Sequence, residues 1–428
     1  MDFVSSALVT LKQPSGFWFT ILNGFRNGMG SYILAVIMIA IIVRLIVSVA
    51  DVFNKRATMK NSDVMAKMKP ELDAIQKKYG YDQKIASQKQ NELYRKYQFN
   101  MLGSCLPMLI SMVLQLVIFM TLWSSLQSVA NYNVVEKYEN MKYIYANVIN
   151  MNIQADAIKD DIGWSAGDEI VVSIDGDKIN FDNKTNGQHT DKEFTKENVN
   201  EFTNENIVTL INTYVETKAK DEDGNEIENP AYSDTGLNEA LLKAAKQEVE
   251  TYYKDTQEGF LWIKNIYRAE SPTSPLFTKT EAKKYVSGYY SNDEKEIEKT
   301  HDYEGTIYDY AIAGSINQKD LGVNGYYILT IIAVLSSFFS IWLSNKLMKN
   351  KNTAQKQSPV MYIIMPLIMG VFTFMYTSLF AIYIIIGQLM MIALTPLTTL
   401  IVKKWTAHEL KKKQEKDVVV VDYRRKDM

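Results

Sequence analysis

Residues 27–50 read NGMGSYILAVIMIAIIVRLIVSVA, and Arg44 is their only charged side chain. A helix needs roughly 20 predominantly apolar residues to cross a ~30 Å hydrocarbon layer. The stretch therefore predicts a transmembrane helix over 30–50 with an arginine inside it. The average composition, 22% charged with a formal net charge of −2, conceals this because the charges are segregated. Residues 103–128, 325–345 and 358–402 contain no Asp, Glu, Lys or Arg. The first two blocks each fit one crossing and the third fits two. The expected spans are 30–50, 103–128, 324–345, 358–377 and 379–402.

The polar segments between the spans carry opposite charge balances. Residues 51–102 hold 11 Lys/Arg and 6 Asp/Glu, residues 346–357 hold 4 and none, and residues 403–428 hold 9 and 5. Residues 131–320 hold 20 basic and 37 acidic side chains. Positive loops stay cytoplasmic. This predicts an extracytoplasmic N-terminus (1–29), a cytoplasmic segment 51–102, an extracytoplasmic insert 129–323, a short cytoplasmic loop 346–357 and a basic cytoplasmic tail 403–428. The fold class expected is an all-α polytopic membrane protein with five transmembrane helices, a cytoplasmic helical hairpin and a small α/β extracytoplasmic insert.

Residues 15–26 place Phe17, Trp18, Ile21, Leu22 and Phe25 at helical spacing. That predicts a helix lying in the outer interface, broken from the first span at Gly28 and Gly30. In 51–102, Met65, Met68, Leu72, Ile75 and Tyr79 share one helical face, Gly80 makes a turn, and Asp82–Tyr97 resumes as a polar helix. A basic amphipathic hairpin beside a membrane can touch anionic lipid or receive a partner on its Met-rich face; a solvated structural loop is the plainer reading. In the insert, residues 169–181 alternate around Asp175-Gly176 as a β-hairpin does. Asn238–Tyr253 and Asn292–Lys299 read as helices, and Lys218–Pro230 as polar connectors. The acidic run 221–225 lacks the spacing of a calcium loop and reads as a turn.

Arg44 is the chemical anomaly. A guanidinium at that depth costs roughly 2.5–3.5 kcal/mol on insertion scales, so it is expected to face a wet cavity. Polar neighbours available in the other spans are Ser104, Ser111, Gln115 and Thr121, then Ser336, Ser337 and Ser340, then Gln388. No carboxylate lies within the spans; Asp51, two turns on, offers Arg44 an alternative at the cytoplasmic interface. An uncompensated cation in a hydrophilic groove attracts an acidic guest through a medium that screens poorly. The groove also lowers the cost of carrying peptide groups into lipid.

Other chemistry finds little support. Cys105, the only cysteine, lies inside a span, and His189, His301 and His408 are scattered. There is no phosphate-cradling glycine loop and no nucleophile elbow. The sequence thus predicts no enzyme, no metal, no cofactor and no direct nucleic-acid recognition. An anion transporter or channel built on Arg44, or a receptor acting through the acidic insert, are the competing readings. Secondary transporters tend to show internal repeats, and none is visible.

The ordered motifs resemble a known family. Ile42-Val-Arg-Leu-Ile46 leads into a basic hairpin with Met68-Lys-Pro-Glu-Leu-Asp-Ala-Ile-Gln-Lys-Lys-Tyr79, then Glu92-Leu-Tyr-Arg-Lys-Tyr97 and Gly103-Ser-Cys-Leu-Pro107. Phe260-Leu-Trp-Ile-Lys264, Met365-Pro366 and Ala381-Ile-Tyr383 follow in order. This series is similar to the YidC/Oxa/Alb-type membrane protein insertases in their five-span bacterial form. The resemblance implies a hydrophilic groove open to cytoplasm and lipid with Arg44 at the family's groove arginine. It also implies nascent membrane proteins as substrates recruited by the hairpin, action alone or beside the Sec translocon, and no cofactor. Family members with long basic tails use them on ribosomes; this tail is short and half balanced by acids, which favours simple anchoring. The chain departs from the family's pattern at Ser48-Val49, at Ser111-Met-Val113, at Ile384 after Tyr383, and above all in the swollen loop around Phe260.

Overall fold

A computed structural model describes residues 11, 13–97, 99, 101–150, 155–175, 178–193, 204–214, 218–220, 226–228, 236–286, 303–348 and 359–426. The chain divides into two compact units, a membrane unit of Gly16–Leu126 with Tyr327–Met428, and an insert unit of Gln127–Tyr326 with the residues up to Ser15.

In the membrane unit, α1 (Phe17–Met29) ends where Gly30 adopts φ 74°, a left-handed conformation that glycine takes at no steric cost. Gly28 lies inside the helix, so the expected break falls at Gly30 alone. Ser31 caps α2 (Tyr32–Tyr79), its hydroxyl accepting from the Ile33 amide. This helix runs without interruption from the first span into the first arm of the hairpin. Asp82 accepts from the amides of Lys84 and Ile85 and so caps α3 (Gln83–Lys96), the second arm. The remaining helices are α4 (Met101–Asn150), shared with the insert, then α11 (Ile328–Met348), α12 (Pro359–Met375) and α13 (Ser378–Lys426). Helix α13 packs on α2 and α11, and α11 on α12.

Among the described residues, α2, α4, α11 and α13 are long and apolar enough to cross a membrane. At 17 residues α12 is shorter, at the low end of the roughly 17–25 residues that span a bilayer. Leu45, Ile46, Val49, Ile110, Val113, Leu335, Leu367 and Leu400 are all exposed on these helices. Such a belt is costly in water and satisfied by lipid, and the protein is an all-α polytopic membrane protein.

The insert unit is the small α/β part. Its core is built along the second half of α4, where Val134, Val135, Tyr138, Met141, Ile144, Tyr145, Val148 and Ile149 are all buried. The sequence reading ended the second span at residue 128, but the helix continues to Asn150. The reason is visible in those residues, whose spacing of three and four supplies a full apolar face. The same buried cluster takes in residues of α5 (Ala155–Asp161), α6 (Asn204–Tyr214), α7 (Gly236–Asp255), α8 (Lys279–Val286), α9 (Tyr303–Ile307) with a π-helical turn at Tyr308–Ala313, and α10 (Gln318–Leu321). Strands β1 (Ile170–Asp175), β2 (Lys178–Asn183) and β3 (His189–Glu193) form an antiparallel sheet in that order, with Val172 opposite Phe181. The expected hairpin is present, joined by a third strand whose charged sequence gave no alternation signal. The connector 218–230 holds a further strand pair, β4 (Lys218–Lys220) and β5 (Glu226–Glu228). The expected helix 292–299 and the acidic turn 221–225 lie outside the described residues. The basic tail does not leave the fifth span as a separate segment, because α13 continues to Lys426.

Candidate functional site

Arg44 projects from α2 into a cavity of about 300 Å³ within the membrane unit. Its wall is mostly apolar, from Val43, Val47, Met112, Phe119, Met369, Phe372 and Ile384, with polar groups from Gln115, Tyr383 and Gln388. Helices α2, α4, α12 and α13 therefore each contribute, and the sequence-derived residues Arg44, Gln115 and Gln388 converge on one space. Ser111 does not line the cavity; it is buried and its hydroxyl accepts from the Gln115 side-chain amide at 3.3 Å, which holds that amide in place. Thr121 is taken up elsewhere, accepting from the Trp18 indole at 2.8 Å. Ser336, Ser337 and Ser340 are buried but lie off the cavity wall. The side chain of Ser104 lies outside the described residues.

On its other side Arg44 borders a small recess with Ser48, Asp51, Lys55, Thr395 and Thr398. The Lys55 ammonium donates to the Thr398 hydroxyl at 2.6 Å and to the Thr395 carbonyl at 3.5 Å. Asp51 shares this recess, yet among the described residues Arg44 makes no ion pair within 4.0 Å and no hydrogen bond. The half-buried guanidinium thus feels the Asp51 carboxylate across the recess without a hydrogen bond to it, and its positive charge also faces the cavity. At 4 Å and an effective dielectric near 20, pairing with an anion is worth about 4 kcal/mol before desolvation.

Two features of the site escaped the sequence reading. Gly387 faces Arg44, with the place of a Cβ only 3.4 Å from Nε, so the missing side chain lets α13 approach the guanidinium. An aromatic cluster of Phe119, Trp123, Phe372, Tyr376, Phe380 and Tyr383 runs along one end, with neighbouring ring centroids 5.0–6.2 Å apart. Phe119, Phe372 and Tyr383 belong to the cavity wall itself.

The hairpin residues behave differently. Met68 is fully buried, Ala86 and Leu93 on α3 are buried, and Met65, Leu72 and Ile75 are half-buried. The Met-bearing face thus packs inside the hairpin, whose arms are tied by Glu71 accepting from Lys96 at 2.8 Å and from the Tyr97 hydroxyl at 2.6 Å. Those hydrogen bonds hold the Glu71 carboxyl below the usual carboxylate range. Among the described residues, no group of three or more His, Cys, Asp or Glu is placed to hold a metal.

The family model of the 60Kd inner membrane protein matches residues 24–157. That stretch takes in α2, α3 and α4 with Arg44, Ser111 and Gln115, and leaves Gln388 and Phe260–Lys264 outside it. The chain is similar to the membrane protein insertase YidC of Clostridium tetani, 32% identical over 115 residues, or 26% of this chain and 47% of the relative. The insertase YidC of Fusobacterium nucleatum is 31% identical over 116 residues, 27% of this chain and 53% of the relative. That of Nitrosococcus oceani is 32% identical over 123 residues, 28% and 21%. The matched stretch spans about half the length of the Clostridium and Fusobacterium relatives and a fifth of the third. No solved structure matches the chain. The resemblance read from the motifs is thus to YidC-type insertases in particular.

Proposed function

We propose that this chain is a membrane protein insertase and chaperone, receiving nascent membrane proteins in the Arg44 cavity and releasing them into lipid without covalent chemistry. The observation that carries the reading is the half-buried Arg44, without an ion pair among the described residues, set with Gln115, Gln388 and Tyr383 in an otherwise apolar wall. A wetted, positively charged space among lipid-facing helices shelters the peptide groups of a polar segment, each costing several kcal/mol if unsatisfied in hydrocarbon. The cation adds a pull on acidic residues of that segment. The match of the 60Kd inner membrane protein family over residues 24–157 and the similarity to YidC insertases support the same assignment. In this reading the chain crosses the membrane of a bacterial cell five times, with the N-terminus and the insert outside and the hairpin and tail in the cytoplasm; the charge balance of the loops supports that orientation. The Sec translocon and the ribosome are the partners this reading allows on the cytoplasmic route.

Depletion of the protein in its host, with protease mapping of a small acidic-tailed membrane protein, tests the proposal. The tail is expected to become protease-inaccessible from outside on depletion and accessible again on re-expression. Normal insertion in depleted cells lacking a paralogue would refute it.

A further inference from the structure

The sheet of the insert unit has two end strands among the described residues, β1 and β3. Strand β1 is an end strand, paired only with β2 among the described strands. The Lys184 amide donates to the Glu169 carbonyl at 2.8 Å, and these residues stand opposite in the β1–β2 register. Bonded and non-bonded pairs alternate along an antiparallel ladder. Val171, Ser173 and Asp175 therefore bond across to β2, and the N–H and C=O groups of Ile170, Val172 and Ile174 point to the open side.

The two edges of the sheet are treated differently. Sheet edges are normally blunted by charge, proline or covering structure, because unpaired backbone groups recruit other chains. The β3 edge is blunted: it reads His-Thr-Asp-Lys-Glu, and its Asp191 and Lys192 pair with Lys178 and Asp161. The β1 edge reads Ile-Val-Val-Ser-Ile before its first charge, with no lysine and no proline.

Helix α7 packs alongside β1 and leaves a groove of about 370 Å³ walled by Val172, Ser173 and Ile174 on the strand and by Gln247, Glu248 and Thr251 on the helix. Glu248 is half-buried there without a counter-ion among the described residues. The nearby Lys254 is taken by Glu250 at 2.9 Å. Burial and the neighbouring Asp255 push the Glu248 carboxyl upward. A strand edge beside a helix, with no further strand on it and one acid without a counter-ion among the described residues, has the parts of a strand-addition site.

We propose that this groove binds an extended polypeptide segment as an added strand on β1, with a lysine or arginine of the segment against Glu248. Backbone pairing supplies affinity independent of sequence, apolar alternate side chains meet the β1–α7 floor, and the acid selects a basic residue.

The test uses the full chain in nanodiscs and a fluorescent hexapeptide, Thr-Val-Lys-Val-Thr-Val, followed by anisotropy. Saturable binding below millimolar peptide is expected, lost when alternate peptide nitrogens are methylated. Thr251→Trp or Gln247→Trp, both on the exposed groove side of α7, should abolish binding while far-UV circular dichroism stays unchanged. Glu248→Gln should weaken the lysine peptide about fivefold and leave a glutamine-substituted peptide unaffected. No saturable binding, or binding indifferent to both tryptophans or to N-methylation, would overturn the site. Equal effects of Glu248→Gln on both peptides would overturn the charge preference.

Discussion

Replacing Arg44 by glutamate reverses the sign of the field in the cavity while keeping a polar side chain there. Substrates with acidic translocated tails should then insert roughly tenfold more slowly, and neutral-tailed ones should change much less. Protease mapping of a matched pair of substrates checks this, and equal loss for both would assign the cavity's effect to its wetness alone. Gly387 makes a second prediction at the same place. With a Cβ position 3.4 Å from the guanidinium, Gly387→Ala should be tolerated, whereas Gly387→Leu puts further carbons where Arg44 lies and should slow insertion of both substrate types. Arg44, Gln115 and Gln388 were legible in the sequence because polar groups in long apolar runs are costly and therefore conspicuous. Ser336, Ser337 and Ser340 looked equivalent, yet the fold turns them off the cavity. A nearly uniformly apolar helix carries little periodicity to say which side faces its neighbours. Gly387 offered no signal, since its contribution is an absent side chain.

The hairpin shows an element whose course is legible in the sequence while the packing of its faces is not. Period, turn and cap were all in the sequence: the apolar stripe from Val64 to Tyr79, then Gly80, then Asp82 as N-cap. The apolar stripe is satisfied within the hairpin, with Met68 fully buried, so polar ties at its open end set how firmly the arms are held. Glu71 is central to those ties. Its carboxyl is held below its ordinary value by Lys96 and then Tyr97, so the folded form is favoured above the carboxylate range and that contribution is lost as pH falls through it. Limited proteolysis around residues 80–97 should therefore accelerate near pH 4, and Glu71→Gln should show the faster cleavage already at pH 7. Packing of α12 rests on a glycine instead. A Cβ on Gly370 would stand 2.6 Å from Val334 Cγ2, in the close helix approach that small residues allow in membranes. Gly370→Val should thus lower the melting temperature in nanodiscs by several degrees, and an unchanged melt would show that the two helices yield without cost.

At the scale of the whole molecule, two units with different solvents share one helix, and α4 carries the difference. Its first half exposes Ile110, Val113 and Val117 as lipid-facing residues do, while its second half buries nearly every side chain. The average charge content hid both facts from composition, and only local periodicity could have revealed the second. Packing that tight has trapped a lysine. Lys137 is 2% exposed, its ammonium lies 4.8 Å from the Tyr253 ring centroid, and it finds no hydrogen-bond partner among the described residues. Burial outweighs the attraction of Glu258 and Glu136 and brings its pKa down to about 8. The unfolded chain keeps this proton up to about pH 10.5, so between pH 8 and that limit the unfolded form binds more protons and stability rises with pH. Buried Tyr252 and Tyr308, pushed up to about 12 by desolvation, act in the opposite sense once free phenols ionise near pH 10. The insert unit should accordingly be most stable between about pH 9 and 10, losing stability on either side. Lys137→Met, which keeps the length and removes the charge, should raise its stability at pH 7 and flatten the rise from pH 8 to 9.5. Hydrogen exchange of amides 134–149 across that range reads both effects on the insert unit alone. An unchanged pH dependence in the methionine variant would show that another buried group carries the titration.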